Sequence, residues 1–407
     1  AYNVPIAAHL TGSLDVVALR RALDTLVARH PALRTVFEGA DGRATQRHLP
    51  AAEAALNGVD LSGIPDAAEL ATTLADAAAT RPFRLADGER PFRATLIRIA
   101  EHHHLLVLVL HHIAADGWSV SVLARDLAAA YSGTDLAAPA LRYSDYAAWQ
   151  RGRSARAASQ LTRRREELAG AAHTLELPAD RPRPPERRHH GRTLPLDVDP
   201  NLAQRIRTLA RATGGTDFRV LLAAFAAALT RFSGQEDLLI GTPAANRTAS
   251  GAADVVGLFA ETLVLRADTS GDPTVRDLLA RARRACLDAY AAPDVAVETL
   301  VEAMAPQRDP ARSPLFQVMI ALNNAAGAVP ALPGLEVEPV AVPNRTAKFD
   351  IVLNLIDTAD GITGGLEFDT DVYAAPLMTL LAEHFVRILE AFTADPGQTL
   401  SSIGTLS

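Results

Sequence analysis

An uninterrupted apolar run at residues 105–110, which ends at the pair His111 and His112, constrains the fold more than any other part of the chain. Alternate side chains of a strand point to opposite faces, so a strand that is apolar at every position has to be covered on both sides. Polar residues 101–104 separate this run from the strand-like segment 95–100. We therefore predict a hairpin whose second strand lies at the centre of a covered sheet.

The two histidines are followed by the turn residues Asp116 and Gly117 and by a predicted helix at 120–131, with Ser119 as its candidate cap. Neighbouring strand residues face opposite sides, so only one of the two imidazoles can enter a given cavity while the strand continues. An imidazole at the edge of a core can have a tuned pKa and still meet a substrate. This pattern alone favours a functional histidine and a buried structural histidine equally.

Helical and strand patterns alternate along the whole chain, which predicts an α/β fold. The proline-rich segment 177–191 is the best boundary, because proline fixes φ and removes a backbone donor. We expect a first half at 1–176 and a second half at 192–407, with a site at their junction. The predicted helices are 14–29, 120–131, 217–232, 274–290, 297–304 and 376–393, and the predicted strands are 95–100, 105–110, 238–243, 314–324, 348–356 and 363–369.

Composition excludes several classes of protein. The formal net charge of −7 argues against a nucleic-acid binder, and no apolar run approaches the length of a membrane span. Cys286 is the only cysteine, which excludes an internal disulfide and suits the cytoplasm. The first residues lack a signal-peptide pattern and look like a chain entered in mid-strand, so we expect upstream sequence. His102 to His104 predict a solvated turn, and no converging set of metal ligands is evident.

The segment His111–Gly117, HHIAADG, matches the HHxxxDG signature of the condensation-domain and chloramphenicol-acetyltransferase-like superfamily. Other segments resemble the remaining motifs of nonribosomal peptide synthetase condensation domains in their usual order. They are RHPALRT at 29–35, YSDYAAWQ at 143–150, IGTPAANR at 240–247 and RDPARSPLFQV at 308–318. A lone HHxxxDG is a weak signal, whereas this ordered set spans nearly the whole chain and is specific.

The resemblance implies an α/β fold of two chloramphenicol-acetyltransferase-like lobes in a V-shaped pseudodimer, with an active-site tunnel between them. It also implies two partners, a donor and an acceptor peptidyl carrier protein, whose phosphopantetheine arms enter from opposite mouths. The acceptor amine then attacks the donor thioester, and a peptide bond forms. No cofactor is expected to bind directly. An adjacent adenylation domain is the expected neighbour, and the excised domain is expected to be a monomer.

The resemblance also assigns roles to residues of the motif. His112 is the expected catalytic residue, and it can act as a general base or by positioning and charge stabilisation. Asp116 is expected to be structural and to pair with an arginine, Arg34 as first candidate and Arg29 as second. Gly117 is expected to allow a tight turn and to turn its backbone N–H towards the substrate. His111 completes the motif.

Five further residues are candidates for the wall or floor of the tunnel, namely Trp118, Ser119, Gly257, Glu261 and Asn323. Glu261 stands where the family motif commonly has Asn, and the segment 290–302 keeps only part of its motif, which puts the substrate range in doubt. The HHIAADGWS, 10–35 and 346–350 segments resemble the subclass that takes a D-configured donor and an L-configured acceptor. Two alternatives stay open: a catalytically silent recruitment platform, and a related acyltransferase that forms an ester or acylates a free small molecule.

Overall fold

The computed structural model describes residues 2–40, 43–304, 309–323, 330–342, 345–358 and 360–404. Arg308 of the fifth motif and Asn324 of a predicted strand lie outside these ranges. The strands are β1 Asn3–Gly12, β2 Thr35–Ala40, β3 Arg43–His48, β4 Leu56–Asp60, β5 Phe92–Ala100, β6 His103–His111, β7 Gly191–Val198, β8 Asp237–Ala244, β9 Glu261–Asp268, β10 Val318–Asn323, β11 Leu335–Val340, β12 Ile351–Thr358 and β13 Gly361–Asp369.

The helices alternate with these strands, so the predicted mixed α/β architecture is confirmed. They are α1 Val16–Arg29, α2 Ala67–Thr80, α3 Gly117–Tyr131, α4 Tyr143–Arg151, α5 Ser154–Leu168, α6 Pro200–Ala212, α7 Asp217–Ser233, α8 Val275–Tyr290, α9 Val297–Met304 and α10 Ala375–Ala394.

The first sheet has the strand order β11-β1-β6-β5-β4, and β6 pairs antiparallel with both β1 and β5. The predicted hairpin and the central position of its second strand are therefore confirmed. Leu106, Leu108 and Leu110 pack in one core cluster with residues of α1 and α3. The intervening positions 105, 107 and 109 pack with α2 on the other face. Covering both faces with helices explains why this strand is apolar at every position.

The second sheet has the order β7-β13-β12-β10-β8-β9. Its larger core cluster joins the sheet to α6, α7, α8 and α10. Positions 220–229 of α7 are all buried, as expected of a helix that is apolar all round. A smaller cluster joins β8, β9 and β10 to α5 and α9, and α5 belongs to the first half of the sequence.

The segment 177–191 lies between the two sheets in sequence and contains no helix or strand before Gly191. It is anchored on the second half, where Arg183 forms an ion pair with the buried Asp350. The strand β11 departs from the simple division of the chain, because it pairs with β1 in the first sheet although it belongs to 192–407. The boundaries themselves stay a prediction.

Among the described residues, no single helix has the length and hydropathy of a membrane span. Helices α6 and α7 reach that hydropathy only as a pair, and a bend of 105° separates them.

Candidate active site

The turn after β6 carries the HHxxxDG motif into α3. The helix begins at Gly117, three residues earlier than predicted, and Asp116 rather than Ser119 is its N-cap. One oxygen of the Asp116 carboxylate accepts hydrogen bonds from the Ser119 backbone N–H at 2.8 Å and from the Ser119 hydroxyl at 2.7 Å. The sequence interpretation failed because both residue types are good caps, and the choice depends on which of them lies one residue before the helix.

His112 is partly buried and is held at both its backbone and its ring. Its backbone N–H donates to the Tyr2 carbonyl at 2.8 Å, and its ring Nδ1 lies 2.9 Å from the Ala115 carbonyl oxygen. A carbonyl only accepts, so Nδ1 carries the hydrogen of this bond and Nε2 of the neutral ring is the acceptor. The backbone thus fixes the tautomer that a proton acceptor at Nε2 requires.

The electrostatic surroundings keep this imidazole neutral. Burial lowers the pKa of His112, and the positive charge of Lys348 lowers it further. The hydrogen bond to Ala115 and the charge of Asp116 act in the opposite direction, but the pKa remains below its ordinary value. At neutral pH the ring is therefore ready to accept a proton.

His111 has a different environment from its neighbour. Its ring stacks on Tyr2 with 5.9 Å between ring centroids and meets the edge of Phe83 at 5.8 Å. Its Nδ1 accepts a hydrogen bond from the Ile113 backbone N–H at 3.1 Å. These contacts show that the His111 ring packs against neighbouring aromatic side chains and holds the turn through its hydrogen bond to Ile113.

Asp116 is buried and forms an ion pair with Arg247, whose Nη2 lies 2.8 Å from the carboxylate. Its second oxygen accepts from the backbone N–H groups of Phe259 at 3.0 Å and Ala260 at 3.2 Å. The Arg247 guanidinium also stacks over the Phe259 ring, 4.1 Å from its centroid. A buried carboxylate with this many donors is fully satisfied, as burial of a charge requires.

The predicted partner of Asp116 was therefore wrong. Arg34 is the last residue of a short 3-10 turn, Pro31–Arg34, and its guanidinium donates to the backbone carbonyls of Val27, at 3.1 Å, and of Leu49. Arg29, the second candidate, pairs with Asp126 instead at 2.8 Å. Arg247 lies at the end of the IGTPAANR motif, and only the packing of the two halves brings it to Asp116.

Residues 246–260 of the second half, here called the crossing segment, pack against α3 and α4 of the first half. The Ser119 hydroxyl lies 2.9 Å from the Gly257 carbonyl and accepts from the Gly257 N–H at 3.1 Å. The Tyr143 hydroxyl donates to the Leu258 carbonyl at 2.7 Å. A Cβ on Gly257 would lie 2.3 Å from the Tyr143 ring, so only glycine fits there. Ser119 is wholly buried and holds this junction together, so its side chain does not line an open cavity.

Three predicted residues surround the exposed start of α3. Trp118 is 49% exposed, and its indole N–H donates to the Ala253 carbonyl at 2.9 Å. Gly117 is the first residue of α3, and its φ is not positive, so the tight turn after β6 needs no left-handed conformation at this position. A Cβ there would meet only the Asn323 side-chain oxygen, at 4.0 Å. The absence of a side chain at Gly117 therefore leaves open the space between α3 and the end of β10.

Glu261, the unusual residue of the second half, is partly buried at the start of β9. Its carboxylate accepts a hydrogen bond from Gln150 of α4 at 3.1 Å. Burial raises its pKa, the Gln150 bond lowers it, and the nearby charge of Glu298 raises it. The net pKa is above its ordinary value. No contact in the described part of the chain joins Glu261 to His112.

A second polar network lies behind α3 and was missed by the sequence interpretation. Asp126 is buried, and its carboxylate meets Arg29 at 2.8 Å, His30 at 2.9 Å and Arg125 at 3.0 Å. Arg125 also reaches Asp254 of the crossing segment at 2.8 Å. The signal for it in the sequence was an aspartate on the apolar face of α3 together with the Arg-His pair of the RHPALRT motif.

Comparison with known proteins agrees with the resemblance of the motifs. The family model described as a condensation domain matches residues 1–407. The chain is 43% identical to the probable non-canonical nonribosomal peptide synthetase CymA of Salinispora arenicola, over all of this chain and 5% of that protein. It is 37% identical to a linear gramicidin synthase of Brevibacillus parabrevis, over all of this chain and 8% of that protein. The chain therefore spans less than a tenth of the length of these relatives.

Solved structures show the same fold. The X-domain from teicoplanin biosynthesis superposes with a TM-score of 0.90 at 30% identity, covering 100% of this chain and 93% of that chain. The first condensation domain of the calcium-dependent antibiotic synthetase, in complex with a substrate analogue, gives a TM-score of 0.78 at 24% identity, covering 100% and 94%. The expected V-shaped pseudodimer of two acetyltransferase-like lobes is confirmed. The chain belongs to the condensation-domain family of nonribosomal peptide synthetases.

Proposed function

We propose that this chain catalyses peptide-bond formation between a donor acyl thioester and the amine of an acceptor aminoacyl thioester. Both substrates are held on phosphopantetheine arms of carrier proteins, and an adenylation domain is the proposed neighbour in the same assembly. The observation that carries the proposal is the His112 ring, whose Nδ1–H is engaged by the Ala115 carbonyl so that Nε2 is free to accept. The family of the chain and the length of its synthetase relatives support the assembly-line context.

The proposed chemistry needs a group that handles one proton. A free α-amine is mostly protonated at neutral pH, and the attacking amine must be neutral. As the new N–C bond forms, the amine proton passes to Nε2 of His112. When the C–S bond of the donor breaks, the same proton passes on to the departing thiolate. General-base help of this kind contributes about 10²–10⁴-fold to a rate.

The start of α3 supplies a complementary electrostatic contribution. The first N–H groups of a helix have no partner within the helix and carry its positive end. In α3 the cap Asp116 accepts from Ser119, so the N–H groups of Gly117 and Trp118 remain for a substrate. We propose that they stabilise the oxyanion of the tetrahedral intermediate. His112 can also act mainly by positioning, and a pH–rate profile separates this role from proton transfer.

The substrate range is a separate proposal. The segments HHIAADGWS and 346–350 support a D-configured donor and an L-configured acceptor. Glu261, with its raised pKa and its bond to Gln150, supports an altered tunnel floor, because the family's common residue at this position carries no charge. Matched pairs of D- and L-aminoacyl donors on the same carrier protein test the stereochemical part directly.

A second candidate function is a recruitment platform without catalysis. It is favoured by the similarity to the X-domain of teicoplanin biosynthesis, which has also been solved in complex with OxyB. The intact His112 site argues for the enzyme, because a platform has no use for a fixed imidazole tautomer. A third candidate, transfer to a free small molecule or to a hydroxyl, differs only in the acceptor.

One experiment separates the three candidates. Donor and acceptor carrier proteins are loaded with aminoacyl phosphopantetheine, mixed with the chain, and analysed by mass spectrometry of the intact carriers. The proposal predicts a dipeptidyl group on the acceptor carrier. A product that forms only with a free amine or alcohol supports the small-molecule acyltransferase. The platform is supported if no acceptor of any class receives the acyl group.

A further inference from the structure

Lys348 is the only lysine of the chain, in which the other 39 of the 40 Lys and Arg residues are arginines. It lies in the second half, just before β12, and is partly buried. Its ammonium Nζ lies 4.6 Å from the centroid of the Tyr2 ring. In the part of the chain that the structure describes, Lys348 forms no ion pair with a carboxylate. A cation in such a position needs an explanation, because burial of an ammonium is unfavourable.

Tyr2 connects this lysine to the histidine motif. The Tyr2 ring contacts Lys348 and also stacks on the His111 ring at 5.9 Å. The Tyr2 carbonyl accepts the backbone N–H of His112 at 2.8 Å. One residue, just before β1, therefore touches both histidines and the lysine. The second half of the chain thereby supplies a positive charge to the site at the end of β6.

The charges around the site act in opposite directions. Lys348 lowers the pKa of both His111 and His112, whereas Asp116 raises that of His112. Burial lowers the pKa of Lys348 itself, and the charge of Glu367 raises it. Asp116 is neutralised by Arg247 at ion-pair distance, which weakens its effect on the imidazole and leaves the lysine as the more effective of the two charges.

We propose that Lys348 is a positioning residue of the condensation site, whose ammonium, seated on the Tyr2 ring, keeps the His112 imidazole unprotonated and ready for the amine proton. The proposal deepens the proposed peptide-bond-forming function and rests on it. Repulsion between the ammonium and the imidazolium favours the neutral ring before the N–C bond forms.

Lysine suits this role better than the arginine used everywhere else in the chain. An ammonium is a compact point charge on a flexible stem, whereas a guanidinium is a planar fork that seeks carboxylates and carbonyls. Arg34, Arg183 and Arg247 show this behaviour, since each donates to carbonyl or carboxylate oxygens. At an effective dielectric constant far below that of water, a point charge still acts over several ångströms without a hydrogen bond.

The direct test is an NMR titration of the His112 ring in isotopically labelled protein, with the signal assigned by its loss in His112→Ala. Lys348→Met removes the charge and keeps much of the bulk, and Lys348→Arg keeps the charge. The proposal predicts that the His112 midpoint moves to higher pH in Lys348→Met and stays closer to the wild-type value in Lys348→Arg. An unchanged midpoint in a folded Lys348→Met protein overturns it. This readout does not depend on turnover, so it remains decisive if no peptide forms.

The pH–rate profile of the loaded-carrier reaction gives the second readout. In Lys348→Met the acid limb of the pH–rate profile should move to higher pH. At a pH below the midpoint, each half pH unit of this movement should make the variant about threefold slower than the wild type. The rate on the high-pH plateau should be retained, which a merely structural role of the lysine does not predict. A uniform loss at every pH contradicts the proposal. Absence of product with the unmodified chain contradicts the proposed function instead.

The single lysine also allows a chemical control in which no residue is replaced. Reductive methylation keeps the charge of an amine, whereas acetylation removes it. The terminal amine reacts as well, so the Lys348→Met protein is treated in parallel. Acetylation should reproduce the Lys348→Met titration, and methylation should leave the His112 midpoint near its original value. Equal effects of the two reagents overturn the proposal.

Discussion

Asp116 and Arg247 meet at 2.8 Å across the junction of the two halves, and both side chains are buried. The aspartate belongs to the histidine motif, and the arginine ends a motif 131 residues further along the chain. The pair therefore ties the start of α3 to the crossing segment. The turn that carries the histidine motif therefore depends on both halves of the chain.

Asp116→Ala is expected to destabilise the protein severely. Removing one partner of a buried ion pair typically costs about 3–5 kcal/mol, and here four further donors also lose their acceptor. Chemical denaturation measures the free energy of unfolding. The matched control is Asp254→Ala, which removes a more exposed ion pair with Arg125 and should cost less than about 1 kcal/mol. A folded but inactive Asp116→Ala protein would assign Asp116 to catalysis.

Gly257→Ala and Gly117→Ala are expected to separate folding from function. The added methyl at Gly257 would overlap the Tyr143 ring, and overpacking of this kind costs about 1–3 kcal/mol. The methyl at Gly117 meets only the Asn323 oxygen at 4.0 Å, so the Tm should stay unchanged while kcat/KM falls. Thermal unfolding and the carrier assay measure the two effects. Full activity of Gly117→Ala would show that the space beside α3 is not used by the substrate.

The Asp126 network predicts acid sensitivity in a defined range. Burial raises the pKa of Asp126, but hydrogen bonds from His30, Arg125 and Arg29 outweigh it and lower the pKa to about 2. A carboxylate with a lowered folded-state pKa stabilises the fold above its unfolded-state pKa, and this contribution is lost as the pH falls. Relative to the reference value of 3.8, the shift corresponds to roughly 2 kcal/mol.

The test of that network is urea denaturation of the wild type and Asp126→Asn between pH 7 and pH 2. The variant should be less stable by roughly 2 kcal/mol or more above about pH 4, and the difference should shrink as the pH falls towards 2. The interpretation fails if the difference is constant over the whole range.

The contribution of Glu261 to folding stability has the opposite pH dependence from that of Asp126. Burial raises its pKa, so the protonated form is favoured in the folded state, and the ionised form weakens the fold as the pH rises past the folded-state pKa. Glu261→Gln should therefore raise the Tm at pH 7, and the gain should disappear as the pH falls below the unfolded-state pKa. Differential scanning calorimetry at the two pH values measures this. A lower Tm of the variant at pH 7 would count against a destabilising charge at this position.

The parts of the fold that could be predicted from the sequence are those set by local patterns. The unbroken apolar run at 105–110 predicted a central strand, and the segment 14–29 predicted a helix, which the structure has at Val16–Arg29 with Asp15 as its N-cap. The placement of β11 beside β1 could not be predicted, because more than 300 residues separate the two strands and no local signal encodes their pairing.

The candidate site, too, could be predicted from the sequence only in part. Strand periodicity separated the environments of His111 and His112, and the motif placed them at a turn. The partner of Asp116 was missed because nothing in the sequence distinguishes Arg247 from the other arginines. Only the packing of the two halves brings Arg247 to Asp116. Lys348 was noted only as part of a motif, although its being the sole lysine of the chain was a signal present in the sequence.

The most direct test of the central claim is the single-turnover rate of peptide transfer in His112→Ala, compared with His102→Ala. His102 lies in the exposed turn before β6 and serves as the matched histidine control. His112→Ala is expected to lower the rate by about 10²–10⁴-fold while the protein stays folded. His102→Ala should match the wild type. Peptide transfer by a folded His112→Ala protein at the wild-type rate would contradict the account.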